Sequence, residues 1–199
     1  MSFDGALIPL WLKLTYTLLV CVIVVVYAFK YPPGNFLWFS DIALIGTVPA
    51  LWLEHRLLSS MLLLSILLPE GVWNAGYLGQ LLTGKRMWGL AGYMFDASLP
   101  RYLRALSLFH VFLPALLLWM TLTLGYDERA LLAQTAVAWM VLLLSYRLTD
   151  PLMNVNWVFG PGNTAQRGMP PLGYLGLAML VFPLLIYLPT HVLMRWWLN

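Results

Sequence analysis

The sequence predicts an all-α fold, a polytopic integral membrane protein built as a bundle of six transmembrane helices, and three observations predict it. Of the 199 residues 61% are hydrophobic and 10% charged, with a mean hydropathy of +0.80, which leaves too little polar surface to clothe a soluble globule. The apolar residues gather into runs long enough to cross a hydrocarbon core about 30 Å thick. The breaks between those runs are short, charged or rich in Pro, Gly and Asn.

The runs predict six spans in one helical domain covering residues 1–199. The first, residues 10–29, is valine-rich and ends at Lys30 and the breaker cluster YPPGN. A second, 36–53, opens with FLWFSD and closes at Glu54, His55 and Arg56, a tight hairpin into the third, 57–83. That third run carries Pro69 and Glu70 near its middle, which predicts a kink and a carboxyl group facing the bundle interior. The fourth, 103–123, is apolar apart from Arg104, Ser107, His110 and its threonines, with Pro114 four residues after the histidine. Residues 125–129 turn the chain into the fifth, 130–146, and an Asn-, Gly- and Pro-rich loop precedes the sixth, 172–194.

Composition excludes several function classes. The formal charge of +3 comes from scattered residues with no basic run, so no nucleic-acid partner is expected. The single cysteine, Cys21, rules out an intrachain disulfide and is expected to be a buried, inert thiol. No metal and no other cofactor is expected, since His55 and His191 fall at the opposite end from His110 and no His-x-x-x-His or His-x-x-Glu pairing occurs. Trp38, Trp88, Trp196 and Trp197 read most simply as interface anchors.

Six spans put both termini on one side, which carries Lys13, Arg56, Arg129 and Arg195. The other side carries Lys30, Lys85, Arg86, Arg101, Arg104, Arg147 and Arg167. The positive-inside rule places the second group in the cytoplasm and both termini outside, in the inner (cytoplasmic) membrane.

Depth follows from the 1.5 Å rise per residue. It puts His110 roughly 13 Å and Glu70 roughly 20 Å from the cytoplasmic ends of their spans. Trp73 and Asn74 share the face of Glu70, and Ser107 that of His110. Ser40 and Asp41 lie about one turn into the second span, where helix capping is their simplest role. Glu70 is expected to be a neutral, hydrogen-bonded acid, because ionisation in hydrocarbon is costly. The ionisable groups thus concentrate in the cytoplasmic half, and the outer half offers little beyond residues 54–56. A histidine with a hydroxyl and carboxylates in reach is the minimum for a base-activated nucleophile. His110 is the base in this reading, Ser40 the first choice of hydroxyl and Ser107 the second. Asp41 or Glu70 orients the imidazole.

FLWFSD, the His110 to Leu113-Pro114 segment and NVNWVFGPG before the last span resemble the pattern of the androgen-induced family of six-span membrane hydrolases and the related YwaF-like membrane proteins. The resemblance implies a lipid ester hydrolase or acyl transferase with His110 as catalytic histidine and Asp41 at the family aspartate. Asn156-Trp157 stands where the YwaF group has an Asn-Tyr pair. The family's threonine nucleophile is replaced by Trp38, and Ser40, two residues on, points about 200° away on a helix. In this reading the partner is a membrane lipid or fatty-acyl substrate, with Arg101, Arg104, Asn156 and Trp157 as substrate-binding residues. The alternative is a non-catalytic membrane protein, either a lipid or small-molecule carrier or a subunit of a membrane complex.

Overall fold

The structure, a computed structural model, describes residues 6–87, 89–162 and 164–198, so Trp88 lies outside the described residues. It is all-helical, with no strand among the described residues. The helices are α1 (Leu10–Lys30), α2 (Phe39–Leu53), α3 (Arg56–Thr83), α4 (Arg101–Leu106), α5 (Phe109–Leu124), α6 (Ala130–Leu148), α7 (Pro171–Val181) and α8 (Leu188–Leu198). Five units are long and apolar enough to cross a membrane: α1, α3, α4 with α5, α6, and α7 with α8. At 15 residues, α2 is shorter.

Each helix buries one stripe. On α1 the buried residues are Lys13, Tyr16, Val20, Ile23 and Tyr27, the alternating three- and four-residue spacing of a single helical face. Cys21 lies off that stripe and is exposed, which corrects the expectation of a buried thiol. The centre of the bundle is α3, which packs against α2, α5, α6 and α8 and buries Leu62, Leu63, Leu64 and Ile66.

The predicted hairpin between the second and third runs forms with Glu54 in the left-handed conformation (φ 47°). Its carboxylate accepts the Leu7 and Ile8 amides at 3.0 Å and the Lys13 ammonium at 2.9 Å. Burial pushes the Glu54 carboxyl up, but Lys13 and the two amides outweigh it and hold the group below its ordinary value. The Nδ1 of His55 accepts the Leu58 amide and so caps α3.

Three boundaries differ from expectation for physical reasons. The second helix begins at Phe39 instead of 36, because Pro33–Leu37 forms a 3₁₀ turn and the Asn156 side chain caps the helix at Phe39. The fourth run is broken at Ser107 and Leu108, whose ψ values are both −6°. There His110 and Val111 donate their amides three residues back, in 3₁₀ fashion, before α5 resumes. The last run holds a π turn at Phe182–Tyr187, containing Pro183. Through Pro69, by contrast, α3 continues as one helix.

Asn156 is the keystone of this end of the bundle. Its Oδ1 accepts the Phe39 amide at 3.1 Å, and its Nδ2 donates to the Leu37 carbonyl at 2.7 Å and to Ser145 Oγ at 3.2 Å. Neighbouring Asn154 does the same within its own loop, accepting the Phe159 amide and donating to the Gly160 and Gly162 carbonyls. Asn154, Asn156 and Trp157 all adopt positive φ, a conformation asparagine tolerates and tryptophan rarely adopts. Asn156→Ala orphans a helix-start amide, a carbonyl and a hydroxyl in the interior, and should lower stability by about 2–3 kcal/mol. Asn156→Asp, which keeps the acceptor for Phe39, should lose less. Thermal unfolding in detergent measures both.

Candidate functional site

Glu70 and His110 meet across the α3–α5 interface. His110 Nδ1 stands 2.9 Å from Oε1 and 2.9 Å from Oε2 of Glu70, and the two side chains are 14% and 6% exposed. Both carboxyl oxygens therefore lie within hydrogen-bond reach of the one ring nitrogen. Glu70 is thus a buried, internally facing, hydrogen-bonded carboxyl, with His110 Nδ1 as its partner. His110 Nε2 makes no hydrogen bond to any described residue, so its lone pair is uncommitted.

The surroundings fix the ring. The Trp73 indole stacks on His110 with centroids 4.8 Å apart and planes at 27°, and the Phe109 ring lies 4.0 Å away at 28°. Asn74 holds the backbone underneath, its Nδ2 donating to the His110 carbonyl at 2.7 Å and to the Glu70 carbonyl at 2.8 Å. The sequence explains why that carbonyl is free. An α-helix would satisfy it with the amide of residue 114, and residue 114 is proline.

Of the other predicted residues, Asp41 is buried and within Coulombic range of both His110 and Glu70. Neither Ser40 nor Asp41 caps α2 with its side chain. Ser40 is half-buried and makes no hydrogen bond to His110. Ser107 is buried and engaged elsewhere: its Oγ donates to the Leu103 carbonyl at 3.1 Å and lies 3.0 Å from the Tyr27 hydroxyl. Arg101 is exposed at the start of α4, and Arg104 donates Nη1 to the Met94 carbonyl at 3.2 Å. Trp157 is 37% exposed, whereas the Asn156 amide is fully occupied by protein groups.

Sequence reasoning missed Tyr27 and Tyr93. Tyr93, in the loop before α4, reaches the aromatic side of the site, its ring 6.3 Å from Trp73. Burial pushes its phenol well above the ordinary range, which makes it a donor at neutral pH. The α1 stripe running through Tyr27 was the readable signal for that residue. Nothing local marked Tyr93. No group of three or more His, Cys, Asp or Glu among the described residues is arranged to hold a metal ion.

Compared with protein-family models, curated proteins and solved structures, the chain matches none. The site therefore rests on its own geometry. Glu70→Gln keeps an acceptor for Nδ1 and the packing volume, and should leave the fold and most of the stability intact. Glu70→Ala opens a cavity, strands the imidazole and should cost about 2–4 kcal/mol. Equal unfolding temperatures for the two variants would contradict the pairing.

Proposed function

We propose that the chain is a six-span integral membrane protein in which the Glu70–His110 pair is the general base for cleavage or transfer of a lipid acyl ester. The observation that carries it is the oriented imidazole: Nδ1 is held by the Glu70 carboxyl, and Nε2 makes no hydrogen bond to any described residue. That division of roles suits an imidazole for proton transfer near neutrality. In this reading α2, the second in chain order, is a span as well and brings the five to six. Its 15 residues reach about 22 Å at the helical rise, and the Pro33–Leu37 turn carries the chain the rest of the way to the interface.

Nε2 takes the proton from a water or from a lipid hydroxyl, and the oxygen attacks the acyl carbon. The imidazolium formed is stabilised by Glu70. The ester C–O bond then breaks, and the proton returns to the leaving oxygen. Water or an acceptor hydroxyl suits this chain better than a protein nucleophile, since Ser107 is engaged with Tyr27 and Leu103 and Ser40 makes no bond to the imidazole. In this reading Arg101, exposed at the start of α4, meets a phosphate or carboxylate headgroup, Arg104 and Trp157 join it in binding the lipid, and Asn156 sets the start of α2. The resemblance to the six-span hydrolases points the same way, with its threonine position filled by Trp38.

A second reading, a non-catalytic carrier or complex subunit, is favoured by one observation: the cavities at Arg56–Arg195 and at Pro9–Trp119 are lined by other residues than the dyad. Turnover separates the two. On long-chain esters presented in detergent micelles, His110→Ala should lower the rate by about 10²–10⁴-fold, the usual worth of a general base, while Ser40→Ala should leave it within a few-fold. Loss of turnover in Ser40→Ala moves the nucleophile to Ser40. Undiminished turnover in His110→Ala removes the dyad from the chemistry and leaves the carrier reading.

The Lys and Arg distribution supports both termini outside and the Lys85–Arg104 loop in the cytoplasm. Maleimide labelling of single cysteines, introduced in a Cys21→Ser background, checks it in intact cells. A cysteine added after Leu198 should label with a membrane-impermeant reagent and one at Ser98 should not. The reverse pattern inverts the topology.

A further inference from the structure

The outer half of the bundle is richer in ionisable groups than the sequence suggested. At the end formed by the Glu54–Arg56 hairpin, the 125–129 turn and the last helix lies a cavity of about 180 Å³. Its polar lining is Arg56, Tyr126, Glu128 and Arg195, and its apolar lining includes Met194 and Leu198. Arg56 is fixed there: its Nε donates to the Tyr126 carbonyl at 3.0 Å and its Nη2 to the same oxygen, which leaves Nη1 unused in those bonds. Gly125 allows this approach, for at φ 85° it suits glycine, and a Cβ would stand 3.4 Å from Arg56 Nε. The floor is tied by the Tyr126 hydroxyl, 2.7 Å from His191 Nδ1. Arg195 Nε meets Glu128 Oε1 at 3.0 Å, with both side chains about half exposed.

We propose that this cavity binds the phosphoethanolamine headgroup of a membrane phospholipid, with the phosphate between Arg56 and Arg195 and the ammonium on Glu128. Two guanidiniums and one carboxylate complement one phosphodiester and one primary ammonium. A purely anionic headgroup leaves Glu128 facing like charge, and a trimethylammonium has no N–H to donate to it. A lipid is favoured over a soluble phosphate by the surroundings. Trp196 and Trp197 are exposed beside Arg195, as expected at the membrane interface where headgroups lie, and Met194 and Leu198 offer an apolar wall toward the glycerol. The cavity is also smaller than the roughly 300–1,000 Å³ of a pocket that encloses a whole drug-sized molecule, which suits a headgroup whose chains remain outside. The proposal uses the bilayer reading and no part of the dyad's chemistry, so ester turnover and headgroup binding can fail independently.

Native mass spectrometry of the purified full chain, titrated with phosphatidylethanolamine, phosphatidylcholine or phosphatidylglycerol of matched chains, tests it. Phosphatidylethanolamine should give the 1:1 adduct that survives the highest activation energy. Arg195→Gln should weaken that adduct about tenfold, as loss of a charge-assisted contact does. Glu128→Gln should abolish the preference for ethanolamine over choline and glycerol. Arg129→Gln, which breaks the neighbouring Asp127–Arg129 pair outside the cavity, should change nothing and controls for general interfacial charge. Equal retention of all three lipids by the native protein, or equal losses in Arg195→Gln and Arg129→Gln, overturns the proposal. Competition by glycerophosphoethanolamine or inorganic phosphate at the same concentration as the lipid assigns the cavity to a soluble phosphate and overturns it as well.

Discussion

The arrangement of this bundle depends on one buried contact, the Glu70 carboxylate against the His110 imidazole. Polar groups of this kind are expensive inside an apolar bundle, and removing one partner of a buried pair typically costs several kcal/mol because the other is left without compensation. The contact therefore fixes how α3 and α5 face each other, and α3 is the helix on which most of the others pack. Around it the chain supplies an aromatic face from Trp73. A histidine so held is a pre-oriented proton acceptor rather than a freely rotating one.

A second constraint acts at two places: a proline in a helix frees a carbonyl, and a side chain from a neighbouring helix takes it. Pro114 frees the His110 carbonyl and Asn74 donates to it. Pro183 has no amide to give Met179, and the Trp139 indole donates to that carbonyl at 2.7 Å, tying α6 to α7. In an apolar interior such carbonyls have no water to turn to. At Pro114 and Pro183 two helices are thus joined by a polar bond. The first of these joints lies directly under the imidazole, so helix packing and ring position are set by the same few atoms.

Much of the helical layout was readable because hydropathy runs and breakers act locally. The Glu54–Arg56 hairpin and the paired placement of Glu70 with Trp73 and Asn74 on one face follow from spacing alone. What escaped depends on residues distant in the chain. The start of α2 is set by Asn156, 117 residues away. The break before His110 has no proline or glycine at Ser107 or Leu108 to announce it. Tyr93 reaches the site from a loop, and the turn at Tyr126 to Arg129 meets Arg56 and α8 only in three dimensions. Capping was assigned to Ser40 and Asp41 from their position, yet the cap arrives from another segment, which freed Asp41 to face the dyad.

The central claim is that Glu70 holds the His110 ring by Nδ1 and leaves Nε2 free. Nitrogen-15 NMR of ring-labelled histidine in the detergent-solubilised protein, with His55 and His191 replaced by glutamine, tests it most directly. The account predicts a protonated Nδ1 whose resonance is distinct from that of Nε2, and a collapse toward exchange-averaged values in Glu70→Ala. Identical histidine spectra in the parent protein and in Glu70→Ala would contradict it.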